Sequence, residues 1–277
     1  MILERLRPIG TGWPGRLGRI EAERKRDRFT DPPGAWVSGR RVAAARDALR
    51  SRGWAVLRGL PFVEGGRVDE AAVLAISAAF GAPSSRDGGA PVRRVTPAPL
   101  GDGTTFSSRA GAAGLHTDAQ YHRVPESLVC MFMVRPASSG GLTRLLTVQD
   151  ALAAVERRAD GGQLISLLTQ PVWRWRVPAE FAADRDRAQY SATAAVLGPD
   201  GATIRWRGDN LAPGLPAAYR AAAQNVDRCF DGAPGIITVG LDAGDLVVLD
   251  NRRVLHGRTW FADSHRLLLR VRLWDSP

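Results

Sequence analysis

The chain has 277 residues, 44% of them hydrophobic and 24% charged, proportions of an ordinary globular protein with enough chain for a large core without disulfides. Two cysteines exclude a disulfide scaffold and a thiolate zinc site, and no apolar stretch approaches the length of a membrane span. The net charge of +10 comes almost wholly from arginine, since Lys25 is the only lysine, and the arginines are spread along the chain. That spread argues for an arginine-biased composition and an anionic small ligand rather than a nucleic-acid face.

Taken in chain order, residues 1–35 are rich in Gly, Pro and charge and read as an irregular arm. The first residues lack an apolar signal core, so the expectation is a cytoplasmic protein. Arg40 to Arg52 predicts a helix, with Val42, Ala45 and Leu49 at helical spacing and Gly53 as its stop. Trp54 to Leu60 predicts a strand. Val68 to Phe80 predicts a second helix ending at Gly81. Residues 82–113 are dominated by Gly, Ala, Ser, Pro and Thr without apolar periodicity. They predict a long loop, either an active-site lid, since it runs into the histidine motif that follows, or a disordered insertion.

From residue 116 strands dominate. Ser127–Arg135 reads as a buried strand, with Cys130 acting as a small hydrophobe. Thr143–Val148 predicts a strand and Gln149 to about Ala159 a helix. Pro171–Val177 and Ala194–Arg207 predict strands, the second carrying the turn signal Gly198-Pro199-Asp200-Gly201. Leu215–Phe230 predicts an amphipathic helix. Ile236–Val239, Leu246–Asp250, Arg253–Thr259 and Arg266–Trp274 complete the strands. There is no internal repeat and no linker, so the expectation is one domain, residues 1–277. The fold class is mainly β, a barrel or sandwich with helical cover.

The chemistry concentrates in His116, Asp118 and His256. Residues at i and i+2 of a strand point to one face, so His116 and Asp118 can reach one ion together. A second histidine from a distant strand completes a 2-His-1-carboxylate set, which suits non-haem Fe(II) and leaves open positions for substrate and O2. His122 is a candidate for a place behind these ligands, and His265 for a turn. Asn251, in Asp250-Asn251-Arg252-Arg253, is placed to orient its strand neighbours. Arg174, Arg176, Arg205 and Arg207 alternate with Trp173, Trp175 and Trp206. This pattern fits either an anionic or planar substrate or a half-buried strand.

Several pieces, in order, resemble one family. They are Trp54–Pro61, Gly81-Ala82-Pro83, Leu115-His116-Thr117-Asp118, Gly140-Gly141-Leu142-Thr143, Gly244–Arg258 and Arg266–Trp274. Together they resemble the Fe(II)/2-oxoglutarate dioxygenases of the taurine dioxygenase and clavaminate-synthase-like group. The resemblance implies a double-stranded β-helix, or jelly roll, with His116, Asp118 and His256 as iron ligands. It implies 2-oxoglutarate as co-substrate, its distal carboxylate held by an arginine of the last strand and by the Thr143 hydroxyl. Arg266 is the first candidate for that arginine, which leaves Arg270 for the prime substrate or a structural ion pair, and Arg270 is the second. The implied reaction couples decarboxylation of 2-oxoglutarate to succinate and CO2 with oxidation of a C–H bond. Hydroxylation is the principal outcome, on a small, amino-acid-like or anionic molecule. The alternatives are a non-catalytic jelly-roll binding protein and, further off, a basic nucleic-acid-binding domain.

Overall fold

The computed structural model describes residues 39–86, 89–97, 109–182 and 189–275. The expected N-terminal arm and the middle of the expected 82–113 loop lie outside them. Two antiparallel sheets face each other. The larger contains β1 (Trp54–Leu57), β4 (Ala82–Pro83), β5 (Val92–Val95), β7 (Leu128–Arg135), β10 (Leu246–Asp250) and β12 (Leu267–Trp274). Its order is β1-β10-β7-β12-β4, with β5 also paired to β12. The smaller runs β6 (Ala113–His116), β11 (Val254–Arg258), β8 (Thr143–Thr147), β9 (Ile237–Val239). Val63–Glu64 and Arg67–Val68 form a separate hairpin of β2 and β3. This is the sandwich of the expected jelly roll.

Three apolar layers follow from the strand alternation. Trp54, Val129, Met131, Met133, Leu145, Val247, Leu249, Val254 and Leu268 fill the space between the sheets. The outer face of the large sheet packs on α1 (Arg40–Arg52) and α2 (Glu70–Ala78) through Val42, Leu49, Val73 and Ile76. The outer face of the small sheet is covered by α3 (Val148–Glu156), α4 (Gly161–Leu168) and α5 (Ala217–Asp231). β7 and β10 are apolar at nearly every position because both their faces are covered.

Local chemistry sets the boundaries. Gly53 ends α1 in the left-handed region, φ 83°, its N–H bonded to the Leu49 carbonyl. The expected helix from Val68 starts instead at Glu70, because Asp69 caps it by accepting from the Ala72 N–H while Val68 belongs to the hairpin. The expected strand to Leu60 stops at Leu57, before the turn at Gly59. The helix predicted to reach Ala159 ends at Glu156, and a further helix, α4, follows it.

Two expectations are corrected. Residues 82–113 are not one loop: β4, β5 and the start of β6 lie in them. The strands expected at 171–177 and 194–207 join no sheet and make only isolated bridges, such as Trp173 to Ala194 and Leu197 to Ile204. Trp173, Trp175 and Trp206 are fully buried in the core beneath α3–α5, so they do not grip a substrate. Arg174 and Arg176 are exposed on the opposite face.

Candidate metal centre and active site

The site lies between the sheets. β11 pairs with β6 so that His256 stands directly opposite His116, with ring centroids 4.4 Å apart. Gly257 permits this approach, since a Cβ there would sit 2.6 Å from the Ala113 carbonyl oxygen. Asp118 follows two residues after the end of β6. Its Oδ1 is 3.8 Å from the Nε2 of His116 and 3.8 Å from the Nε2 of His256. One ligand atom from each of the three residues falls within 4.8 Å of the others, and all three residues are buried. The sequence-predicted triad is therefore assembled.

The electrostatics suit a cation. His116 Nδ1 lies 2.8 Å from the Gly114 carbonyl, which fixes the tautomer that leaves Nε2 as the free lone pair. Burial, the facing His256 and Arg207 hold His116 well below the usual imidazole range, so it is neutral and ready to bind a metal. Burial lowers His256 too. Burial alone would raise the Asp118 carboxyl, but Arg270 and the two imidazoles outweigh it and hold it at about 2. Two neutral imidazoles and one carboxylate, all three residues buried, are a donor set that fits Fe(II).

The cavity beside the triad is lined by Thr143, Arg258, Arg266, Arg270, Met131 and Val95, among others. The strand expected from Arg266 begins one residue later, at Leu267; Arg266, just before β12, and Leu268 and Arg270 on it all line this cavity. The two arginines differ in their partners. Arg270 Nη1 donates to Asp118 Oδ1 at 3.2 Å and contacts Oδ2 at 2.9 Å. Arg266 packs over Phe261, and its buried Nε has no hydrogen-bond partner among the described residues. Gly140 and Gly141, at φ 69° and 64°, shape the turn against it: a Cβ on Gly141 would lie 3.3 Å from that Nε. Thr143 is buried on the neighbouring sheet and lines the same cavity. An unsatisfied guanidinium edge and a hydroxyl on one cavity fit a carboxylate ligand.

Some residues were legible only in part. Arg258, opposite Thr143 in the strand register, also lines the cavity; burial and nearby Arg266 lower it to about 10. The signal for it was its place two residues after His256 on one strand. Arg207 is buried and influences all three triad residues, unlike the exposed Arg174 and Arg176. The chain turns at Ala119, φ 57°, and the half-buried His122 ring lies tilted against Tyr121, with Arg86 and Glu126 nearby. His265 is exposed in the β11–β12 turn, as expected.

Solved structures share this fold. Asparagine oxygenase in complex with Fe(II), 2S,3S-3-hydroxyasparagine and succinate is 22% identical with a TM-score of 0.67, over 89% of this chain and 86% of that one. The non-heme iron oxygenase OrfP in complex with Fe and alpha-ketoglutaric acid is 19% identical with a TM-score of 0.60, over 84% and 80%. OrfP in complex with Fe, succinate and (3R,4R)-dihydroxy-L-Arg is 19% identical with a TM-score of 0.62, over 86% and 81%. Among curated protein sequences none matches significantly. The family model of the taurine catabolism dioxygenase TauD, TfdA family matches residues 17–272, which include the triad and every cavity residue named above, and the chain belongs to that family.

Proposed function

We propose that His116, Asp118 and His256 hold Fe(II), that Arg266 and Thr143 anchor the distal carboxylate of 2-oxoglutarate, and that the enzyme hydroxylates an amino-acid-like small molecule. The observation that carries this is the convergence of three buried ligand atoms within 4.8 Å beside an arginine with an unsatisfied edge. Iron and 2-oxoglutarate supply the oxidising chemistry when bound, consuming O2 and releasing succinate and CO2. The chain's own residues do the rest. The Gly114 carbonyl presents His116 Nε2, Arg266 and Thr143 orient the co-substrate, and the apolar wall of Val95, Met131 and Leu268 keeps water from the cavity.

The substrate class rests on the neighbours, crystallised with hydroxylated asparagine and arginine, and on the cationic lining, which suits a carboxylate-bearing substrate. The test is anaerobic titration with Fe(II) and 2-oxoglutarate. A metal-centred charge-transfer band should form in the wild type and not in His256→Ala. Free L-amino acids and their derivatives are then screened for perturbation of the band. Near wild-type iron affinity in His256→Ala would overturn the assignment.

A further inference from the structure

We infer that Asn251 is a positioning residue that holds the carboxylate ligand, Asp118, in place for the metal. The inference rests on the metal reading above.

The need for such a residue comes from the topology. β6 ends at His116, the last of its residues on that side to pair with β11. Asp118 therefore lies beyond the ladder, yet it is only 2% exposed. Its peptide N–H and C=O would be buried without a strand partner, a cost comparable to a lost hydrogen bond each. The Asn251 side chain supplies both. Its Oδ1 accepts from the Asp118 N–H at 2.7 Å, and its Nδ2 donates to the Asp118 carbonyl at 3.0 Å. Nδ2 also donates to the Glu126 carbonyl at 2.9 Å, which ties the far end of the same loop. A carboxamide is the side chain that offers an acceptor and a donor side by side, the pair an adjacent strand would offer.

The clamp holds a conformation that does not hold itself. The next residue, Ala119, has φ 57°, and among the described residues it is the one non-glycine in the left-handed region. For alanine that conformation is disfavoured and persists where surrounding contacts impose it. Asn251 also sits in the turn that joins β10 of the larger sheet to β11 of the smaller, the strand that carries His256. Asp250 fixes this turn by accepting from the Arg252 N–H and pairing with the Arg253 guanidinium at 2.8 Å. One inter-sheet turn and the strand after it thus deliver His256 directly and Asp118 through Asn251.

The test compares Fe(II) affinity with stability in anaerobic, full-length protein. Metal affinity is read by chelator competition, and ligand geometry by the d–d absorption of Co(II). Asn251→Ala should weaken Fe(II) binding on the order of 10–100-fold, at a temperature where circular dichroism shows it folded, and should alter the Co(II) band. Val248→Ala, which opens a cavity on the outer face of β10, away from the triad, should lower the melting temperature and leave Fe(II) affinity within about twofold of wild type. Asn251→Ser makes the same comparison if the alanine variant is not recovered folded. Fe(II) affinity unchanged in a folded Asn251 variant of a wild type that binds iron would overturn this inference alone. A wild type that takes up no Fe(II) would overturn the metal assignment and this inference with it.

Discussion

Arg266 and Arg270 line one cavity but differ in their partners, and that difference supports different roles for them. Arg270 pairs with Asp118, whereas the buried Nε of Arg266 has no hydrogen-bond partner among the described residues. Removing the partner of a buried carboxylate leaves that charge uncompensated, a cost of roughly 3–5 kcal/mol. Arg266→Ala should therefore raise the concentration of 2-oxoglutarate required by on the order of a hundredfold or more, with Fe(II) affinity almost unchanged. Arg266→Lys should recover only part, because an ammonium cannot reproduce the planar fork. Co-substrate titration of both variants decides the matter, and a large loss confined to Arg270→Ala would move the role to Arg270. Arg270→Ala carries a separate, pH-dependent expectation for the metal-free protein. The folded Asp118 is held at about 2, below its ordinary 3.8, so its contribution to stability is present above pH 4 and is lost as pH falls toward 2. Without Arg270, thermal melting at pH 7 should show a marked loss relative to wild type, and the gap should narrow as the pH drops through that window. A gap independent of pH would mean that Arg270 acts by packing rather than by charge. The triad itself was legible in the His-x-Asp motif and the later histidine, but not for the strand-spacing reason: β6 ends at His116, and Asp118 reaches the site from the turn beyond it. The roles of Asn251 and Arg258 were not legible, since they depend on which backbone groups a distant strand leaves unpaired.

Elements were legible where a covered face imposes a period. α1 and β10 match the expected residues because their apolar patterns run unbroken up to Gly53 and between the turns. The segment 171–207 shows how period alone misleads. Trp173 and Trp175 point inward and Arg174 and Arg176 outward, a true alternation, yet no neighbouring strand offers a ladder. β5 was missed for the opposite reason: two of its four residues are arginines, and it pairs on one side only, with β12. α4 was missed because it opens on Gly161-Gly162, which reads as a stop. The turn Gly140-Gly141 belongs to this scale, since it sets the β7–β8 connection against Arg266, the proposed anchor of 2-oxoglutarate. A Cβ on Gly140 would lie 2.0 Å from the Trp260 carbonyl oxygen, whereas one on Gly141 meets the Arg266 side chain. Both substitutions incur left-handed strain of roughly 1–3 kcal/mol. Gly140→Ala should act chiefly on stability, seen as a lower melting temperature. Gly141→Ala should in addition raise the KM for 2-oxoglutarate by roughly tenfold, the cost of about 1.4 kcal/mol in carboxylate binding. Wild-type KM in Gly141→Ala would detach this turn from the co-substrate site.

At the scale of the whole molecule the site is a joint between two sheets. His116, His256 and Thr143 come from the smaller sheet, Arg270 from the larger, and Arg266 from the turn that leads into it. Between them the apolar packing of the sandwich gives way to a cavity with buried cations around it. Those cations repel one another across the joint, as the lowering of Arg258 by Arg266 records. The metal binds one sheet and the loop that follows it; 2-oxoglutarate, bound to both the metal and Arg266, would join the two sheets and neutralise the cationic wall. The two ligands should therefore stabilise the protein cooperatively. A ligand at a hundred times its dissociation constant adds about 2.7 kcal/mol, which for a chain of this size is a rise in melting temperature of roughly 5–10 °C. Mn(II) or Co(II), which do not oxidise during heating as Fe(II) does, should raise the melting temperature alone. 2-Oxoglutarate alone should raise it little, because only one of its two anchors is present. Both together should raise it by more than the sum of the separate shifts, and Arg266→Ala should abolish the excess while keeping the metal's own shift. Equal stabilisation by 2-oxoglutarate with and without metal would show that the carboxylate site stands apart from the triad.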